Sequence, residues 1–247
     1  MSRVRYPHRA TKRLEDLEDL NGPKLHDQIY SDILIPGLDF RRDRADEFRP
    51  NTELLASLMD ISQDYTDEAG PFSDLFGEWL ECNGETSERN GQFFTPIDVV
   101  DMMVEMTFQG IDLDRKTPWT VCDPAAGTGR FMLRVAKHFG ERTGSFNFLM
   151  TNIDIDRRAF TFCTMNAVLN GIPAIHIHGD TLRMEVYDAF ATLPIGRFAL
   201  WERLRPEIAR DLIVQSLKPP AEPVKPARPP IPKATVQASL FQDGEAA

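Results

Sequence analysis

Apolar residues follow two different patterns along the chain. Over residues 51–82 they recur every three to four positions, which predicts helices. Residues 1–50 are polar and interrupted by prolines, so we expect an arm with short helices there. NGETSERNG, residues 83–91, has the composition of a loop.

The pattern changes at Thr95. In TPIDVVDMMVEM, Thr95 is suited to cap a helix and Pro96 to begin it, and the apolar residues that follow have helical spacing. Short apolar runs then alternate with amphipathic segments. The predicted strands are WTVCD (119–123), FNFLMTNID (146–154), AIHIHGD (174–180) and YDAFATL (187–193). The predicted helices are RFMLRVAKHF (130–139), DRRAFTFCTMNAVLNG (156–171) and residues 199–217, the last kinked or restarted at Pro206.

Alternating strands and helices of this length predict an α/β fold with a parallel sheet and crossover helices. After residue 217 the chain holds seven of its eighteen prolines and few apolar side chains, which predicts a disordered, partly polyproline tail. The predicted organisation is an N-terminal arm (1–50), a helical segment (51–90), the α/β core (91–217) and the tail (218–247).

The composition argues against several classes of protein. The three cysteines, Cys82, Cys122 and Cys163, are widely spaced, which predicts reduced thiols and neither a disulfide framework nor a metal site. No apolar run approaches the length of a membrane span, and the basic N-terminus lacks the apolar region of a secretory signal. We therefore expect a cytoplasmic protein with no membrane partner.

The net charge of −10 argues against a protein that coats nucleic acid indiscriminately. Two basic clusters, in residues 1–13 and in RRDR at 41–44, leave open DNA binding through a local patch. Solvated surface charge explains each cluster at least as well.

A glycine-containing loop, DPAAGTG (123–129), joins a predicted strand to a predicted helix. Glycines there allow the backbone to approach a ligand and turn into the helix, although a turn that only reverses the chain is the alternative. Met132 occupies the position of the third glycine of a dinucleotide-binding motif, and no Gly-Lys-Ser/Thr follows, which excludes a P-loop. Asp154, at the end of the next strand, is placed to accept hydrogen bonds from ribose hydroxyls.

Four motifs in this order resemble those of the adenine-N6 DNA methyltransferases, in particular the modification subunits of type I restriction systems. The motifs are GQFFTP (91–96), DPAAGTG (123–129), NID (152–154) and GDTL (179–182). The similarity covers roughly residues 71–196. It implies a Rossmann-like, S-adenosylmethionine-dependent methyltransferase core, with S-adenosylmethionine as cofactor and DNA as substrate.

The resemblance also implies roles for individual residues. Phe94, Thr95 and Pro96 would pack over the methionine end of the cofactor. The loop residues that would line the cofactor are Asp123, Ala125, Gly127 and Gly129, with Asp123 near the amino group. Asp154 would hold the ribose, and Asp180 would bind the exocyclic amine of the adenine ring.

The catalytic motif of the family, Asn/Asp-Pro-Pro-Phe/Tyr, occurs nowhere in this chain. Aligned by the fourth predicted strand and by Gly196, the chain offers Thr192, Leu193, Pro194 and Ile195 instead. The resemblance therefore makes Thr192 and Pro194 the degenerate catalytic positions. Because the acceptor for the amine hydrogens and the aromatic ring that stacks on the flipped base are both replaced, we expect weak or partner-dependent catalysis.

The tail ends in a second resemblance. Gln237, Leu240 and Phe241, in QASLF, are spaced as in the QxxLF peptides that bind the bacterial DNA sliding clamp. A solubilising end is the alternative.

Three hypotheses follow for the protein. It is a DNA-modifying enzyme that depends on a partner for its missing residues, or a non-catalytic binding protein recruited to DNA by the clamp. A small-molecule or protein methyltransferase is a weaker alternative, because GQFFTP belongs with DNA amino-methylation. A fourth strand at the sheet edge would need cover from the 199–217 helix, a partner subunit or a second copy of the chain.

Overall fold

The computed structural model describes residues 6–21, 24–36, 50–84 and 95–216. The helices are α1 (Arg9–Asn21), α2 (Leu25–Gln28) continuing as a π-helical segment (Ile29–Leu34), α3 (Thr52–Ala69), α4 (Leu75–Cys82), α5 (Ile97–Phe108), α6 (Arg130–Thr143), α7 (Arg157–Leu169) and α8 (Pro206–Ser216). The strands are β1 (Trp119–Asp123), β2 (Phe148–Asp154), β3 (Ala174–Asp180), β4 (Glu185–Ile195) and β5 (Phe198–Arg203).

The five strands form one sheet in the order β1-β2-β3-β4-β5. The first three are parallel, with α6 and α7 as their crossover connections, so their carboxyl ends lie at a common edge, here called the carboxyl edge. The predicted α/β fold and its parallel sheet are confirmed for this part.

Strand β4 runs antiparallel to β3, which corrects the expectation of a continuous parallel sheet. Only four residues separate β3 from β4, whereas a parallel crossover needs a dozen or more. β5 then pairs antiparallel with β4, so the described edges of the sheet are β1 and β5.

The predicted helix over 199–217 is wrong in its first part. Residues 198–203 form β5, and α8 begins at Pro206, the first-turn position that proline favours. α8 covers one face of the sheet with Ala209 and Ile213, which pack against Ile153 and Ile177.

The N-terminal helices lie on the other face of the sheet. One buried cluster joins side chains of α1, α3 and α4 to Phe160 and Phe162 of α7 and to Phe190 of β4. Tyr30 of the π-helical segment donates a 2.6 Å hydrogen bond to the buried carboxylate of Asp188 in β4. The helices that precede residue 84 therefore share a core with the sheet.

Candidate cofactor site

The glycine loop leaves β1 at Asp123 and enters α6. Gly127 and Gly129 have φ angles of 57° and 88°, a left-handed conformation that strains other residues. A side chain at Gly129 is also blocked, because its Cβ would lie 2.8 Å from the sulfur of Cys163 in α7. The loop is therefore held close to the helix that packs beneath it.

Asp154, at the end of β2, binds this loop directly. Its Oδ2 accepts a 2.8 Å hydrogen bond from the backbone N–H of Gly127, and its Oδ1 accepts one of 2.8 Å from Asp156. Burial raises the pKa of the Asp154 carboxyl, and the two backbone donors oppose this effect. The carboxylate thus lies at the carboxyl edge beside the loop, as the sequence predicts.

Asp123 is the second carboxylate at this edge. Its Oδ1 accepts a 3.2 Å hydrogen bond from the backbone of Ala125. Burial raises the pKa of Asp123; the Ala125 donor opposes this shift and the nearby charge of Asp154 adds to it. An added cationic group at this position would relieve the repulsion between the two carboxylates.

Asp180 ends β3 and completes the row of acids. Its Oδ1 accepts hydrogen bonds from the backbone of Leu182 and Arg183, at 2.9 and 3.0 Å. The hydroxyl of Thr181 donates a 2.8 Å hydrogen bond to the carbonyl of Pro124, which ties the end of β3 to the glycine loop. Three adjacent strands therefore each end in an aspartate at the carboxyl edge.

A cavity of 230 Å³ opens between this loop and α5. It is lined by Thr95, Met103, Asp123, Ala125 and Gly127, among others. The backbone carbonyl of Thr95 accepts a 2.9 Å hydrogen bond from Arg130 of α6. Pro96 lines an adjoining cavity of 720 Å³, and Phe94 lies outside the described residues.

The predicted capping role of Thr95 is wrong. The residue that caps α5 is Pro96, and no side chain makes a capping hydrogen bond there. Thr95 instead contributes a backbone carbonyl and a wall of the cavity.

Asp74 is a buried residue of the site that sequence reasoning missed. It caps α4, accepting a 2.9 Å hydrogen bond from the N–H of Gly77. Its carboxylate also accepts hydrogen bonds from the Thr128 hydroxyl at 2.6 Å, from Arg130 at 3.1 Å and from the Asn166 amide at 3.0 Å. One carboxylate therefore joins α4, the glycine loop and α7. The sequence indicates Asp74 only as a helix cap, and a cap does not identify hydrogen-bond partners that are distant along the chain.

Two exposed apolar side chains at the carboxyl edge were also missed. Ile155 follows Asp154 and is 60% exposed, and Leu182 follows Thr181 and is 96% exposed. The ring of His178 in β3 contacts the first of these segments, with its Nε2 3.2 Å from the carbonyl of Ile155. Apolar side chains this exposed beside a row of carboxylates are suited to the faces of a planar ring.

The structure does not bring Thr192 or Pro194 to the carboxyl edge. β4 is antiparallel, and Thr192 pairs with Ala174 at the start of β3, which is the opposite edge of the sheet. The Thr192 hydroxyl is buried, donates to the carbonyl of Ile172 at 2.8 Å and accepts from the N–H of Ala174 at 3.1 Å. The alignment of β4 with the catalytic strand of the family is corrected accordingly.

Among the described residues, no cluster of His, Cys, Asp and Glu side chains is arranged to hold a metal ion. Within the same ranges, no helix has the length and hydropathy to cross a membrane. The free cysteines are Cys82, Cys122 and the buried Cys163.

The model of the N-6 DNA methylase family matches residues 69–193. The chain belongs to this family. The match begins just before α4 and ends within β4, so it includes Asp74, the glycine loop and all three aspartates of the carboxyl edge. No curated protein matches the chain significantly.

Three solved structures resemble this member of the N-6 DNA methylase family in part. One, from Listeria monocytogenes, is assigned as a class I S-adenosylmethionine-dependent methyltransferase (14% identity, 67% of this chain and 51% of that one, TM-score 0.41). Another is the type I restriction-modification methyltransferase subunit of Streptococcus thermophilus (19% identity, 66% and 36%, TM-score 0.33). A third, from Vibrio vulnificus YJ016, is assigned as a modification subunit of a type I restriction enzyme (21% identity, 51% and 24%, TM-score 0.30). The chain spans about half or less of the length of each.

Proposed function

We propose that the protein binds S-adenosylmethionine at the carboxyl edge and acts in adenine-N6 modification of DNA, with catalysis that depends on a partner. The observation that carries the proposal is the row of Asp123, Asp154 and Asp180 around a glycine loop, in a chain of the N-6 DNA methylase family.

Each aspartate suits one part of this cofactor. Asp154 offers carboxylate oxygens to ribose hydroxyls, and Asp123 offers a negative charge to the ammonium group of the methionine moiety. Asp180 accepts from the exocyclic amine of the adenine ring, while Ile155 and Leu182 supply apolar contacts to its faces. Thr95 and Pro96 lie on the α5 side of the cavities, where they would contact the methionine end.

Methyl transfer to adenine requires acceptor groups that the family's Asn/Asp-Pro-Pro motif supplies, and this chain has no such motif. S-adenosylmethionine supplies an electrophilic methyl group. The amino nitrogen of adenine is a poor nucleophile because its lone pair is delocalised, so side-chain and backbone acceptors must bind its hydrogens. The sequence contains no Asn/Asp-Pro-Pro. The Thr192 hydroxyl already hydrogen-bonds to Ile172 and Ala174 at the edge of the sheet opposite the carboxyl edge. A partner that supplies these acceptors would complete the site.

Calorimetry and methyl transfer test the proposal separately. The full chain should bind S-adenosylmethionine or S-adenosylhomocysteine, and it should transfer tritiated methyl groups to unmethylated DNA slowly or not at all when alone. Activity should rise when the cognate partner subunit is added. No heat with either ligand at millimolar concentration contradicts the cofactor assignment, and robust methylation by the purified chain contradicts the partner requirement.

The second candidate is a catalytically inactive binding protein that reaches DNA through the sliding clamp. The absence of an Asn/Asp-Pro-Pro sequence from the chain favours it, together with the QASLF peptide, which lies outside the described residues. Under this hypothesis the cofactor binds, but no partner restores methyl transfer.

A further inference from the structure

Helix α5 has two apolar faces. On one of them, Val104 and Phe108 are buried in the cluster shared with α6. The other is exposed, from 40% for Val99 to 70% for Met106. Its four residues, here called the α5 stripe, are Val99, Met102, Met103 and Met106. This spacing puts them on one side of the helix, and methionine side chains adapt readily to an apolar partner.

The open strand β1 meets α5 at the carboxyl edge, where Asp123 and Met103 line the same cavity. Trp119 and Val121 of β1 pack against the cluster that contains Val104 and Phe108. Among the described strands, β1 pairs only with β2. The Trp119 N–H donates toward β2, to the carbonyl of Asn147. Alternate residues of a strand face opposite sides, so the backbone groups of Thr120 and Cys122 point outward. Such an edge accepts a further extended segment.

The chain leaves the described structure next to this edge. Ser216, the last residue of α8, donates a 3.2 Å hydrogen bond to the hydroxyl of Thr151 in β2. Thr151 is paired with Cys122 of β1. The segment after residue 216 therefore starts beside the outermost strand, on the sheet face opposite α5.

We propose that residues 231–241, IPKATVQASLF, dock on the α5 stripe and along the edge of β1. The fourteen residues 217–230 span roughly 40 Å when extended as polyproline, enough to pass around one strand and a helix about 10 Å wide. The docking segment contains most of the apolar side chains of the tail: Ile231, Val236, Leu240 and Phe241.

Charge complementarity supports this occupant. The docking segment carries one base, Lys233, and no acid, and the linker 217–230 before it carries three bases and one acid. Helix α5 carries three acids and no base; Asp101 and Glu105 are paired with Arg134 and Arg142 of α6, so the attraction falls mainly on Asp98. Met103 of the stripe also lines the cavity beside the glycine loop, so a segment docked on the stripe would lie next to that cavity. Docking would further compete with capture of Leu240 and Phe241 by a clamp. The inference stands on its own and needs neither cofactor nor clamp.

Trypsin provides a direct test with the full chain. Trypsin does not cleave before proline, and three of the four basic residues after Ser216 precede proline, so Lys233–Ala234 is the only susceptible bond there. Cleavage of the full chain at this bond should be about tenfold slower than in a synthetic peptide of residues 225–247, because cleavage follows the undocked fraction. The variant M102S/M106S should restore the rate of the peptide.

A matched control is Leu20→Ser, which changes an 83% exposed side chain of α1 and should leave cleavage slow. Hydrogen exchange should show protection of the Thr120 and Cys122 amides that is lost in M102S/M106S. The proposal is overturned if the full chain is cleaved at the rate of the peptide, or if slow cleavage persists in M102S/M106S. The proposal is also overturned if cleavage at Lys233–Ala234 becomes slower, or the Thr120 and Cys122 amides exchange more slowly, as the protein concentration rises. The segment of a second copy would then occupy the surface.

Discussion

The backbone N–H of Gly127 donates a 2.8 Å hydrogen bond to Oδ2 of Asp154. This contact joins the loop after β1 to the end of β2, so one carboxylate both shapes the glycine loop and faces the site proposed for the ribose. In any variant of Asp154, the conformation of the glycine loop and the affinity for the cofactor therefore have to be measured separately.

Asp154→Asn should weaken binding of S-adenosylmethionine by about tenfold to a hundredfold. The amide keeps the size of the side chain but lacks the charge that strengthens a hydrogen bond to a ribose hydroxyl, a contribution of about 1.5–3 kcal/mol. Titration calorimetry measures the loss, and thermal unfolding of the cofactor-free protein reports whether the loop is disturbed. Unchanged affinity would place the ribose elsewhere.

Asp74→Ala should lower the free energy of unfolding by about 3 kcal/mol or more. The change leaves Arg130 and the buried Thr128 and Asn166 without a shared acceptor, and removing one partner of a buried ion pair is costly. Denaturant unfolding measures the effect. Asp211→Ala is the control, since Asp211 is an exposed acid on α8. This substitution should change the free energy of unfolding by less than about 0.5 kcal/mol. Equal stabilities of the two variants would contradict the role of Asp74.

His176 should make the stability of the protein fall as the pH is lowered from about 6.5 to about 3. Burial lowers the pKa of this histidine from 6.5 to about 3 in the folded protein, with Cys163 and Asn152 near Nδ1 and Thr192 near Nε2. The unfolded chain binds a proton as the pH falls below about 6.5 and the folded chain does not, so stability is lost with falling pH. The loss at pH 5 is about 2 kcal/mol.

His176→Gln should reduce this slope by about one proton, because the other histidines titrate in both proteins. Unfolding in denaturant at a series of pH values compares the two. A variant with the slope of the natural sequence would show that His176 is protonated in the folded state.

A synthetic peptide of residues 233–247 should bind the bacterial sliding clamp with micromolar affinity. Burial of Leu240 and Phe241 contributes roughly 1.5–3 kcal/mol each, reduced by the cost of ordering a flexible segment. Competition with a known clamp ligand measures binding, and L240A/F241A should abolish it. No interaction at about a hundred micromolar clamp would make the resemblance accidental.

The sequence predicted the parallel part of the fold well and the antiparallel part poorly. β1 and β3 have the predicted bounds because continuous apolar runs between turn signals are typical of buried strands. Residues 198–203 have apolar spacing that is also compatible with a helix, and pairing with β4 decides the outcome. The antiparallel direction of β4 could have been inferred from the sequence, since the four residues between β3 and β4 are too few for a parallel crossover.

In the candidate site, too, local features were predicted from the sequence and long-range contacts were not. The aspartates at strand ends and the positive φ angles of Gly127 and Gly129 follow from local sequence. The side-chain partners of Asp74 lie 54 to 92 positions away, and no local pattern indicates them. The placement of Thr192 also depends on the whole sheet, which is why an alignment by strand number put it at the wrong edge.

The wide separation of the residues that Asp74 joins has a consequence for folding. Contacts across 54 and 92 positions are slow to form, because a long chain segment must first be ordered. The glycine loop is thus complete in sequence at residue 129 but lacks its support until α7 has been synthesised and has docked. If the carboxyl edge binds S-adenosylmethionine as proposed, affinity for it should therefore arise during translation only after Asp180, the last aspartate of the row, has left the ribosome.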